Sequence, residues 1–127
     1  MKTLLTLICI LGLTGCFSEH PFGRGPDDGT GTGELPLENL SFANDIMPLL
    51  STCSSCHAAG AGGWVYDGGA NAYTQAISII VPNQPEQSSL LVNARGGDNH
   101  GGGTIYGSSS NAYRAIAAWI SEGADNN

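Results

Sequence analysis

Two cysteines and a histidine fall within five residues, Cys53-Ser54-Ser55-Cys56-His57, in a chain of 127 residues that holds 4 Cys and 3 His. The C-x-x-C-H spacing is the attachment signature of c-type haem: two thiols three residues apart add to the vinyl groups along one porphyrin edge, and the next residue offers an imidazole to the iron. Cysteine is needed for the thioether bonds, the two-residue gap for the vinyl separation, and histidine as the neutral nitrogen ligand. A thioredoxin-like redox pair would call for a βαβ context, and a structural zinc site for two further ligands at matched spacing. The sequence offers neither. A disulfide closing so short a loop would constrain little.

The other two cysteines are accounted for before the folded domain begins. Lys2 is followed by an apolar run, Leu4 to Leu13, that reads as a signal peptide over residues 1–15, too short to span a bilayer. Its end, Leu13-Thr14-Gly15-Cys16, resembles the lipobox of bacterial lipoproteins, in which small residues precede a Cys that is acylated and becomes the new amino terminus. Cys9 would leave with the signal and Cys16 would carry lipid; the rival reading is an ordinary secretory signal with an incidental Cys. Phe17 in place of an Asp after the lipidated Cys favours outer-membrane sorting by the enterobacterial pattern. Residues 16–40 are dense in Gly, Pro and acidic side chains and lack apolar periodicity, so they read as the lipidated Cys and a flexible tether. About 24 such residues span roughly 25–30 Å on average and roughly 80 Å when extended. His20 lies in this tether with no partner ligand nearby in sequence.

Residues 41–127 must then hold the motif. Phe42, Ile46, Leu49, Leu50 and Cys53 follow helical spacing and lead into it, with the regular helix starting between Asp45 and Pro48 because proline is tolerated only in a first turn. Residues 61–71 read as loop. Tyr73, Ala76, Ile77 and Ile80 predict a second short helix stopped by Val81-Pro82, and residues 87–94 a third. A Gly- and Ser-rich loop over residues 96–109 follows, then a helix capped by Ser110, with Tyr113, Ile116, Ala117 and Ile120 at helical spacing, and ended by Gly123. The expected fold is all-α, three to five short helices with long Gly-rich loops. With 12% charged residues and 19 Gly, side chains alone promise little core, and a bound group would supply the missing volume.

Phe42 to Leu50 followed by Cys53 to His57, then Val81 to Leu91, then Tyr113 to Ala124 with Trp119-Ile120 and Gly123-Ala124, resemble small bacterial class I cytochrome c domains of the type found in planctomycete-like and other environmental bacterial proteins. The resemblance covers about residues 42–124. It implies the class I cytochrome c fold around one covalent haem c, with the first and last helices crossing near one haem edge. It also implies a methionine as sixth iron ligand in the loop before the last helix, and here the sequence departs from the pattern, having no Met after Met47. His100, in Asp98-Asn99-His100-Gly101-Gly102-Gly103, is the expected replacement, its glycines letting backbone pack close to the porphyrin. Met47 is the rival, six residues before Cys53 on the proximal side; an open iron is the third option.

Two imidazoles leave iron low-spin and saturated, which suits electron transfer, and lower its potential relative to a His/Met pair. The sequence therefore predicts an exported, lipid-anchored monohaem electron carrier facing periplasm or cell surface. Two other readings stand beside it: a haem enzyme or gas- or peroxide-binding protein with an open distal site, and a haem-stabilised docking module of a larger redox complex. No catalytic carboxylate pair, nucleophile with neighbouring base or phosphate loop is visible, so an enzyme is not expected. With 11 Asp and Glu against 4 Lys and Arg, nucleic acid is excluded as a partner and redox proteins with basic patches are favoured, at an on-rate that falls with salt. Phe42, Trp64, Tyr66, Tyr113 and Trp119 are candidates to cover porphyrin or to pack between helices, Arg95 and Arg114 to meet haem propionates, and Asp45 and Asp67 to serve as helix-start and turn residues.

Overall fold

The computed structural model describes residues 37–127, and every regular element among them is helical, with no strand. The expected signal peptide, Cys16, His20 and nearly all of the expected tether lie outside the described residues.

The first helix begins with a reciprocal cap. The Ser41 hydroxyl accepts the Asn44 amide at 3.3 Å while the Asp45 carboxylate accepts the Ser41 amide at 2.8 Å, so two of the helix's orphan donors are satisfied at once. A π-helical turn over Phe42–Ile46 runs straight into α1, Met47–His57. Pro48 stands in the first turn of α1, where the winding changes from π to α. The regular helix thus starts inside the window that the proline predicts.

Three short helices complete the domain. Helix α2 covers Ala72–Ile77, and the chain leaves it through a turn at Ile79 and Ile80 instead of continuing helically to Val81. The segment expected as one helix over residues 87–94 is divided into a 3-10 turn, Pro85–Gln87, and α3, Ser89–Ala94. Ser88 causes the division: it is fully buried, with an extended backbone, and its hydroxyl accepts the Val81 amide at 2.9 Å and reaches the Gln84 carbonyl at 3.0 Å. Those bonds fix the Val81–Gln84 turn.

Helix α4, Asn111–Ser121, starts at Ser110, whose hydroxyl accepts the Tyr113 amide. It ends in a Schellman motif: Ala124 N–H meets the Trp119 carbonyl at 2.9 Å, and Gly123, at φ +113°, meets that of Ile120 at 3.1 Å. Its buried face is Tyr113, Ala115, Ile116, Trp119 and Ile120; Ala117, expected on that face, is only half-buried. Phe42 packs against Trp119 with ring centres 5.4 Å apart and meets the Tyr73 ring edge-on at 5.3 Å. The side-chain core is therefore larger than the composition suggests, because a few large aromatic residues supply the volume where the start of the first helix packs on α4. Among the described residues no helix is long and apolar enough to cross a membrane.

Candidate functional site

Helix α1 carries Cys53, Cys56 and His57 on its last turn. Residues three and four apart share one helical face, so the motif's spacing turns all three side chains toward the same side. That side is the wall of a cavity of about 790 Å³, within the range of cavities that enclose a small organic ligand. Leu50, Ile79, Leu90, Ala94 and Ile116 give it apolar walls from α1, α3, α4 and the turn after α2. Cys53 is half-buried and Cys56 exposed, and neither is in a disulfide. Burial raises the Cys53 thiol above its ordinary pKa, its own backbone partly opposes that rise, and the neighbouring Cys56 adds to it.

The chain after α1 folds back on the helix end. The His57 carbonyl accepts both the Gly60 and the Tyr66 amides at 3.0 Å, and this fold-back carries the Trp64 carbonyl to 3.4 Å from His57 Nδ1. The Trp64 ring packs on the imidazole with centres 4.8 Å apart, and its indole N–H donates to the Gln75 carbonyl at 2.8 Å. The Gln75 side chain in turn accepts the Asp67 amide at 3.0 Å, so α2 clamps the loop from two points. Asp67 itself makes an Asx turn, accepting the Gly69 amide at 2.9 Å. That bond first, and then a bond from the Gln75 side chain to the carboxyl, hold the Asp67 carboxyl below the usual range.

His100 enters from the opposite wall on two consecutive turns. Asp98 and Asn99 both have positive φ, 51° and 55°, and the His100 amide meets the Gly97 carbonyl at 3.0 Å, which is a type I′ turn. The His100 carbonyl then accepts the Gly103 amide at 2.8 Å, closing a second turn, and His100 Nδ1 donates to the Gly103 carbonyl at 2.9 Å. Asp and Asn tolerate the left-handed region, so the residues before His100 suit this geometry as well as the glycines after it.

The His57 and His100 rings are parallel to within 4°, with centres 6.1 Å apart. Direct stacking would bring ring atoms to about 3.5–4.0 Å. Two imidazoles bonding one ion in line, at metal–nitrogen distances of about 2.0–2.1 Å, hold their ring centres roughly 6.3 Å apart. Because a carbonyl can only accept, each Nδ1 is the donor in its bond, which makes Nε2 the nitrogen through which each neutral ring would bind a metal. Among the described residues no group of three or more His, Cys, Asp or Glu side chains could hold an ion. Two facing imidazoles, with two thiols at the wall of the same largely apolar cavity, are a donor set that fits a planar metal-bearing organic group attached through sulfur.

The remaining candidates from the sequence fall elsewhere. Met47 opens α1, packs partly buried against the core and does not line the cavity. Of the five aromatic candidates only Trp64 lines it. Arg95 pairs with Glu86 at 2.5 Å and approaches the Tyr113 hydroxyl at 3.5 Å; Arg114 lies exposed on α4, and neither lines the cavity. Tyr106 and Ile105, passed over in the sequence, do line it. Their position between the glycine run and the last helix was the one available signal. Comparison with protein-family models, with curated proteins and with solved structures finds no match for this chain.

Proposed function

We propose that this chain is an exported, lipid-anchored monohaem c-type cytochrome that carries single electrons between redox proteins, with a class I cytochrome c fold around the cofactor. The observation that carries the reading is the pair of parallel imidazoles 6.1 Å apart in a cavity walled by both cysteines. Cys53 and Cys56 would hold haem c through thioethers, with His57 as proximal and His100 as distal nitrogen ligand. When bound, the group supplies a one-electron ferric/ferrous couple.

The chain's own residues do the rest. Trp64 and Gly103 carbonyls orient the two imidazoles and raise their basicity, which favours the oxidised state. Leu50, Ile79, Leu90 and Ile116 exclude water from the cavity interior. Exposure of Cys56 puts the attachment edge near the surface, where a partner can approach. Negative charge, 11 acidic against 4 basic residues, favours partners with basic docking patches.

The test is maturation of the full chain in a host that ligates haem to C-x-x-C-H sites, followed by mass spectrometry and absorption spectra of the reduced protein with and without carbon monoxide. The expected result is one added tetrapyrrole mass with both thiols consumed, a low-spin spectrum and slow gas binding. Two free thiols and no added mass would overturn the reading.

A further inference from the structure

Gly101, Gly102 and Gly103 are adjacent in sequence but meet different surroundings. A Cβ at Gly101 or at Gly103 would meet nothing within 4 Å. A Cβ at Gly102 would stand 2.9 Å from His100 Cε1 and 3.5 Å from Ile105 Cδ1. Carbon atoms rest at about 3.5–4.0 Å, so any side chain at 102 would force the imidazole or the backbone to move by about 0.6 Å.

Resting on the ligand assignment above, we propose that Gly102 is a positioning residue for His100: its bare backbone is the surface on which the imidazole rests, and it sets the distance of the ring from His57. The His100 side chain has few other constraints. Its Nδ1–H is bonded to Gly103, inside the same turn, and the hydrogen bonds of residues 97–104 among the described residues run within the segment or back to Val92 and Arg95. Gly102 is thus the contact through which a one-atom change reaches the ring. A displacement of about 0.6 Å exceeds the roughly ±0.2 Å within which metal–ligand distances hold. Gly103 acts differently, through a φ of +69° that lets its carbonyl face Nδ1.

The test compares wild type with Gly101→Ala and Gly102→Ala, each matured with haem, using mass, spin state by electron paramagnetic resonance, and carbon monoxide binding. Gly102→Ala is expected to keep the covalent haem, lose the low-spin signature, bind the gas fast and regain low spin on adding free imidazole. Gly101→Ala should match wild type. A fully loaded Gly102→Ala protein that remains low-spin overturns the proposal while leaving the cytochrome reading intact; absence of covalent haem from wild type overturns that reading itself. The double variant His100→Gly/Gly102→Ala separates positioning from folding. With the ring gone its clash with the new methyl group is gone, so the double variant should fold and take up haem as His100→Gly does. Failure of the double variant to do so overturns the positioning role.

Discussion

The Tyr106 hydroxyl donates to the Leu49 carbonyl, joining residues 57 positions apart and tying the segment beyond the His100 turns to the helix that carries both cysteines. The Tyr106 amide meets the Ala94 carbonyl at 2.9 Å, so the same residue also anchors the distal segment to α3. Removing the hydroxyl by Tyr106→Phe keeps the ring as cavity wall and is expected to cost about 0.5–1.5 kcal/mol. Urea unfolding of the matured protein measures the cost. Carbon monoxide binding should rise modestly as the two walls loosen, and unchanged stability and gas binding would show that the tie is without consequence.

The ligand assignment predicts unequal effects of two substitutions. His100→Ala should convert the iron from low to high spin and raise the potential, whereas Met47→Ala should leave the spectrum unchanged, because Met47 packs on the core and lies off the cavity wall. Conversion on replacing Met47 alone would reverse the assignment.

Attachment through two sulfurs predicts graded loss. Cys53→Ala and Cys56→Ala should each retain haem by one thioether, with a shifted absorption band from the unreacted vinyl group. The double variant should lose covalent haem on denaturation, and a haem-stained denaturing gel reads the difference directly.

Tyr66 predicts an alkaline effect. Its side chain is fully buried and its hydroxyl has no hydrogen-bond partner. Burial, then the charges of Cys53 and Asp67, push its phenol up to about 12. An unfolded tyrosine titrates near about 10, so between the two values the folded state holds the proton that the unfolded state has released. The stability from this group is complete below about pH 10 and is lost as pH rises toward about 12. Tyr66→Phe should abolish that slope. It should also stabilise the domain at neutral pH by about 1 kcal/mol, since an unpaired buried hydroxyl costs about 1–3 kcal/mol. Denaturant unfolding at neutral and at alkaline pH tests both signs.

Helix capping gives a prediction independent of the cofactor. Ser110→Ala removes the acceptor for the Tyr113 amide and should cost about 1 kcal/mol. Ser110→Asp should restore it, and the melting temperatures of the three proteins form the check.

By itself the sequence determined what is local. The C-x-x-C-H spacing, the proline in the first turn of α1, the Ser110 cap and the Gly123 stop act over one or two helical turns, and the all-helical character of residues 37–127 follows from such signals. His100 was legible as a candidate because few other nitrogen or sulfur ligands exist in the chain. Tertiary structure alone decided that His100 faces His57 across one cavity, because the 42 intervening residues and their flanks form contacts that no short window encodes: Asn83 to Ile120, Trp64 to Gln75, Tyr106 to Leu49. It also separated Trp64, on the cavity, from Trp119, in the core, and Gly102 from its neighbours. Those distinctions depend on atoms brought within a few ångströms by chain closure, and residue type and spacing do not record that distance.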